Sequence, residues 1–297
     1  MQKTLLEKTK AKTIIFDGAM GTLIMAAGMN SVKSPTLLNL EKPELVTDFH
    51  KQYFNAGADV VLTNTFSANP LKLKAEGIER QMETLNREAV KLARHVCPEG
   101  KFVAGDIGPT GKMLPPMGDC THEEMQEAFY LQAKALIESG VDLLVIETMY
   151  SLEEAVSAVR GIKNAGDIIL IASMTFNKTE MGYFTLMGET VGQCASILEQ
   201  AGANMLGANC TLGSADMIDL TKELRASTAK PILIQPNAGK PVTRKGITYY
   251  EQTPSEFAQD ARILKEMGAD MIGGCCGTNP EFIQALTATL SGNSIAD

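Results

Sequence analysis

The stretch Met267-Gly268-Ala269-Asp270-Met271-Ile272-Gly273-Gly274-Cys275-Cys276-Gly277-Thr278 holds a helix stop, a strand and a pair of adjacent cysteines. Gly268 can end a helix in the left-handed conformation, and an apolar run follows at once. The same phrase recurs upstream. Ala56-Gly57-Ala58-Asp59, Ser139-Gly140-Val141-Asp142 and Ala201-Gly202-Ala203-Asn204 each precede an apolar run. This recurrence predicts a four-fold repeat of (βα)2 units.

Eight short runs rich in Val, Ile, Leu, Met and Ala fall at 13–17, 59–65, 102–107, 142–147, 168–175, 205–210, 231–236 and 271–276. Nearly continuous apolar runs of this length are the pattern of parallel strands covered on both faces. Stretches of helical period lie between them. Thr121 with Glu124 and Ser151 with Glu154 have capping-box spacing, and Pro254 and Pro280 stand at first helical positions. A doubly wound open sheet is the competing arrangement, but eight regular β/α pairs favour closure. The expected fold is therefore α/β, a single (β/α)8 TIM barrel occupying residues 1–297 as one domain. Three connections, 18–42, 176–189 and 238–252, are long and all follow strands. They lie on the face where barrel enzymes keep their active sites. The third is expected to form a small hairpin around Arg244-Lys245-Gly246.

The 297 residues match the roughly 250 that such a barrel needs plus a few long loops. A net charge of −8 argues against a nucleic-acid or anionic-membrane partner, both of which need a basic face. No apolar stretch approaches the roughly 18 residues of a membrane span, and residues 1–12 are polar and lysine-rich, unlike a signal peptide. Six cysteines are too few for a disulfide scaffold in a chain this long. The expected setting is the cytoplasm, where clustered cysteines serve as metal ligands or catalysts.

Polar residues close the apolar runs, one run after another: Asp17, Thr63-Asn64-Thr65, Asp106, Glu147-Thr148, Thr175, Asn209-Cys210, Asn237 and Cys275-Cys276. A polar ring at the C-terminal mouth of a barrel reads as an active site. Cys210, Cys275 and Cys276 are read as ligands of one zinc ion. Their strands are separated by one other, so their ends lie about 10 Å apart, which two inward side chains and Zn–S bonds of about 2.3 Å span. Neighbouring residues on a strand point to opposite faces. Cys275 and Cys276 therefore require a backbone turn, which Gly273, Gly274 and Gly277 permit. Three thiolates leave a tetrahedral zinc one open position and a net charge of about −1, suited to binding a substrate thiol and keeping it ionised. The alternative is three buried, inert cysteines. Cys97, Cys120 and Cys194 fall away from this mouth and are read as bystanders.

The chain resembles the homocysteine S-methyltransferase family, and within it the homocysteine-binding module of cobalamin-dependent methionine synthase. The matching stretches are Asp17 to Thr22, Thr63 to Phe66, Gly105 to Gly111, Glu147-Thr148, Asn209 to Gly213, Pro236 to Pro241 and Gly273 to Thr278. The resemblance implies zinc on Cys210, Cys275 and Cys276, with L-homocysteine sulfur completing the metal shell and attacking a methyl donor. It implies that Glu147 and the Asp17-Gly18-Ala19 turn hold the substrate ammonium group, with backbone N–H groups and hydroxyls nearby taking its carboxylate. Asn237, on the strand between the two cysteine strands, is expected beside the open metal position. The implied activity is methyl transfer to homocysteine giving methionine. The donor is expected to be methylcobalamin, carried by a corrinoid-binding module or protein and not bound by this chain alone. The alternatives are a methyltransferase using S-methylmethionine or betaine directly, or a zinc- and homocysteine-binding partner without activity of its own.

Other motifs fail. Gly108-Pro109-Thr110-Gly111-Lys112 lacks the upstream glycine and the hydroxyl residue of a phosphate loop. His50, His95 and His122 are isolated on predicted helices and read as surface or packing residues. The sixteen methionines read as gap-filling core.

Overall fold

A computed structural model describes residues 2–29, 32–244 and 247–291. The strands in chain order are β1 (Ile14–Ile15), β2 (Val60–Leu62), β3 (Phe102–Ile107), β4 (Leu143–Met149), β5 (Ile169–Met174), β6 (Asn177–Thr179), β7 (Gly182–Phe184), β8 (Met205–Gly213), β9 (Ile232–Asn237), β10 (Pro241–Arg244), β11 (Ile247–Tyr250) and β12 (Met271–Ile272). Eight of them form one parallel sheet in the order β1-β12-β9-β8-β5-β4-β3-β2. Phe16 bridges in parallel to Val60 and brings the two ends of that order together. Helices intervene between successive barrel strands, so the expected (β/α)8 barrel is the fold found.

The repeated phrase has a structural cause. Gly57, Gly140, Gly202 and Gly268 all have left-handed backbones. In each case the next residue donates its N–H back across the helix end, Ala58 to Tyr53, Val141 to Leu136, Ala203 to Leu198 and Ala269 to Leu264. The polar residue that follows then clamps the start of the preceding barrel strand. Asp59, Asp142, Asn204 and Asp270 accept through their side chains from the N–H of Ile15, Val103, Leu170 and Ile232 at 3.2, 2.8, 3.0 and 2.9 Å. A cation backs each clamp: Lys12 and Lys101 on Asp59, Arg94 on Asp142, Lys163 on Asn204 and Arg225 on Asp270.

Two apolar layers result. Val61, Val103, Leu144, Leu170, Leu206, Ile234 and Ile272 pack outward against the helices. Phe16, Val60, Ala104, Val145, Ile171, Met205, Leu233 and Met271 fill the barrel, and Leu5 from the first helix joins them. The period of two then places Asp106, Glu147, Ser173, Asn209 and Gln235 at the next inward positions.

Several boundaries differ from expectation. The last run is paired in the sheet only at Met271–Ile272. Beyond it Gly274 donates to Asp17 O at 2.9 Å and Cys275 to Pro236 O at 2.7 Å, but regular pairing has ended. The loop after β5 carries the antiparallel hairpin β6–β7, which had no sequence signal. The predicted hairpin after β9 is present as β10–β11, while Lys245 and Gly246 lie outside the described residues. Thr121 and Glu124 form the full capping box. Ser151 caps Glu154 N, but the Glu154 carboxylate turns to Thr110, accepting from its N–H at 2.7 Å and its hydroxyl at 2.6 Å.

His50 is buried on the helix Pro43–Asn55, and neither ring nitrogen has a partner among the described residues. Burial lowers its pKa from 6.5 to about 4. The unfolded chain therefore takes up a proton first as pH falls below 6.5. Stability should drop by about 3 kcal/mol between pH 7 and pH 4 on this account alone. In urea unfolding, His50→Leu should lose correspondingly less stability than the parent chain over that range. Equal losses would exclude His50 as the site of the effect.

Candidate metal centre and substrate cavity

The mouth of the barrel encloses a cavity of about 470 Å3 lined by Asp17, Leu62, Asp106, Glu147, Cys210 and Cys275 among others. Two strand irregularities shape its floor. On β4, Ile146 pairs with Ala172 and Met149 with Met174, so one extra residue bulges out and carries Glu147-Thr148 inward. On β8, Asn209 pairs with Gln235 and Gly213 with Asn237, so two extra residues lift Cys210 out of the strand. Thr148, Cys210 and Thr211 have φ of 60°, 62° and 62°, and they are the non-glycine residues with positive φ among the described residues. Each such residue costs on the order of 1–3 kcal/mol and persists only where its surroundings enforce it.

The sulfurs of Cys210, Cys275 and Cys276 lie within 4.8 Å of one another, and those of Cys275 and Cys276 are 4.0 Å apart. The vicinal pair converges because the chain turns after it. Gly277 has φ 85°, and Thr278 donates its N–H to Cys275 O at 3.1 Å. Gly274 plays a different part from the one expected. Its φ is not left-handed; a Cβ there would collide with the Thr278 side chain. That threonine seats the loop, donating to Cys275 O at 2.7 Å and accepting from Ala19 N at 3.2 Å.

The three cysteines fit a zinc ion. A tetrahedral zinc with Zn–S bonds of about 2.3 Å spaces its sulfurs about 3.8 Å apart, close to the separation seen. The Cys276 thiol is held well below the ordinary cysteine range by hydrogen bonds from the Cys210 and Cys275 thiols and from Tyr250. Cys275, engaged with Cys210 and Cys276, is pushed well above that range. Cys97, Cys120 and Cys194 do not line the cavity.

The other end of the cavity is acidic. Asp17 closes the barrel where β1 ends, its Oδ2 accepting from Leu62 N at 2.8 Å. Its Oδ1 is buried without a partner among the described residues, as is Oδ1 of Asp106. Burial raises the pKa of Asp17, with the charge of Glu147 adding. Burial does the same to Asp106, with Glu147 and Asp17 adding. Glu147 is pushed up to about 8 by burial and then by Cys276. An opposite charge placed among these three carboxyls would favour their ionised forms.

Of the residues singled out in the sequence, Asp17, Gly18, Ala19, Glu147, Cys210, Cys275 and Cys276 all line this cavity. Asn237 does not; it is buried at the end of β9, and its Oδ1 has no partner among the described residues. Tyr250 faces the cysteines instead, from the hairpin after β9, and nothing in its local sequence marks it. Asp106 belongs to the acidic end, and the alternation Phe102, Ala104, Asp106 along β3 is the signal that places it there.

A family model described as homocysteine S-methyltransferase matches residues 14–290. The chain belongs to the homocysteine S-methyltransferase family. It is 30% identical to the methionine synthases of Mycobacterium tuberculosis (strain ATCC 25618 / H37Rv) and Mycobacterium leprae (strain TN), over 97% of its own length and 25% of theirs. The chain thus spans about a quarter of these curated relatives. Among solved structures it is similar to the metallated form of the homocysteine methyltransferase MmuM from Escherichia coli. That likeness has a TM-score of 0.79 at 26% identity and covers 96% of this chain and 98% of that one.

Metal-depleted, reduced protein titrated with zinc should take up one ion per chain, read by a competing chromogenic chelator. Cys210→Ser should weaken that uptake by more than about a hundredfold. Undiminished affinity in the variant would separate Cys210 from the metal.

Proposed function

We propose that the chain transfers a methyl group to the thiol of L-homocysteine, giving L-methionine, with zinc held by Cys210, Cys275 and Cys276. One observation carries this reading: a three-thiol cluster and a cluster of three carboxyls, two of them buried, open into the same cavity. A ligand satisfying both ends needs a metal-seeking sulfur and a cation on one small molecule, and homocysteine has both. Zinc when bound takes the substrate thiol as an ionised ligand and keeps it nucleophilic at neutral pH. The residues of the chain supply the rest. Glu147 and Asp17, with Asp106 beside them, hold the ammonium group. The Asp17-Gly18-Ala19 turn is fixed to the cysteine loop by the Gly274–Asp17 and Ala19–Thr278 hydrogen bonds. Fixing both ends of the substrate aims its sulfur at the mouth, which converts the encounter with a donor into an oriented one.

The mouth supports a donor carried by another module or protein, with methylcobalamin as the methyl carrier. Nine large apolar side chains are exposed among the described residues, and seven of them, Met25, Leu40, Phe66, Met117, Met181, Leu186 and Tyr249, sit on segments that follow barrel strands. Exposed apolar residues on the loops of the mouth are consistent with a surface that another module or protein covers. A second reading is direct use of a sulfonium or betaine as the donor.

The deciding experiment offers homocysteine to the zinc-loaded, reduced protein with methylcobalamin, S-methylmethionine or glycine betaine, and measures methionine. Turnover with methylcobalamin is expected; turnover with only a sulfonium or betaine would move the assignment to the second reading. Binding of homocysteine with no turnover would leave a binding partner of a corrinoid protein. Glu147→Gln should raise the homocysteine KM by about tenfold to a hundredfold, the worth of one hydrogen bond to a charged group. An unchanged KM would remove Glu147 from the ammonium site.

A further inference from the structure

Asn209 stands between the two halves of the cavity and is fully buried. Its Oδ1 accepts from Thr148 N–H at 2.8 Å and from the Ser173 hydroxyl at 2.9 Å. Its Nδ2 faces Thr148 Oγ1 at 2.8 Å, Glu147 Oε2 at 3.2 Å and Cys275 Sγ at 4.0 Å. The orientation of this amide follows from chemistry. A backbone N–H can only donate, so the atom facing Thr148 N is the oxygen, and the nitrogen is thereby turned toward Glu147. The residue after Asn209 is Cys210, which begins the left-handed pair on β8.

Thr148 is β-branched and has φ 60°, a conformation such residues avoid. Asn209 engages both its N–H and its hydroxyl. The turn so held directly follows Glu147 on the bulge of β4. One side chain therefore grips the segment that carries the ammonium carboxylate, while its own backbone leads into the first cysteine of the metal cluster.

We propose that Asn209 is a positioning residue that fixes the span between metal and ammonium carboxylate, by clamping the Thr148 turn that aims Glu147 into the cavity. The proposal rests on the homocysteine reading for its effect on ligand and on geometry alone for its effect on the turn. A buried amide that merely satisfied its neighbours would contribute to stability without distinguishing one end of the ligand from the other.

The test uses cobalt-substituted protein, in which binding of a thiol is read from the visible spectrum. Homocysteine is compared with 4-mercaptobutanoate, the same thiol acid without the amino group. In Asn209→Ala the homocysteine Kd should rise about tenfold, as a charge-assisted contact is misaligned, while 4-mercaptobutanoate stays within about twofold. Equal weakening of both thiols, or of neither, would overturn the proposal. The crystal structure of the variant gives a readout that needs no homocysteine. Thr148 should leave the left-handed region and the Glu147 carboxylate should shift; an unmoved turn would overturn the proposal even if the parent chain bound neither thiol. Failure of the parent chain to bind homocysteine would count instead against the proposed function. Should Asn209→Ala not fold, Ser173→Ala removes one of the two bonds that orient Oδ1. It should weaken homocysteine selectively by about threefold, and identical Kd values for parent and variant would overturn the proposal.

Discussion

Three carboxyls share the mouth of this barrel, and at the acidic end of the cavity no side-chain cation is paired with them among the described residues. Desolvation lifts Asp17, Asp106 and Glu147 alike; Glu147 raises both aspartates further, and Asp17 adds to Asp106. Such an arrangement is unfavourable by itself and persists because the rest of the fold enforces it. Two complete apolar layers lie beneath and around it. Asp17 is committed to β2 through Leu62, and the Glu147 bulge is held by Asn209. The stability of the scaffold thus holds together three carboxyls that keep their protons more tightly than usual, and a cation placed among them would favour their ionised forms.

The two ends of the cavity are joined by short bonds rather than by a long lever. The Asp17 carbonyl receives Gly274 N, Thr278 ties Ala19 to Cys275, and Gly277 N reaches Thr22 Oγ1 at 3.0 Å. The Asp17-Gly18-Ala19 turn after β1 and the cysteine loop after β12 are therefore bonded directly to each other. The sulfur-facing and cation-facing ends keep their separation without help from a ligand.

Much of this was legible in the sequence because it rests on local rules. The Gly-Ala-Asp phrase announced four helix ends and four strand starts, and the Asp59, Asp142, Asn204 and Asp270 clamps explain why the fourth residue is always a hydrogen-bond acceptor. Polar residues ending apolar runs marked the mouth, and the glycine-framed cysteines marked the three-thiol cluster. What escaped depends on long-range packing. The left-handed backbones at Thr148, Cys210 and Thr211 are forced by bulges that no propensity of threonine or cysteine suggests. Tyr250 reaches the cysteines through a hairpin whose placement is tertiary. Gly274 was correctly marked as special but for the wrong reason, since crowding by Thr278 and not backbone conformation excludes a side chain. Ser173 and Gln235 were recoverable by carrying the period of two past the apolar residues of β5 and β9.

The clamps also divide the barrel in a way that bears on how it is assembled. Each joins residues 34 to 44 positions apart, so each pair of neighbouring strands can be secured within its own quarter of the chain. The seam between β1 and β12 has no such local partner, and its Ala19–Thr278 bond closes a loop of 259 residues. Contacts of that sequence separation pay the largest loop entropy and form last. Asp17 and the cysteine pair face each other across this seam. The chemistry of the chain is therefore absent from any partly folded quarter and comes into being only when the two ends of the barrel meet.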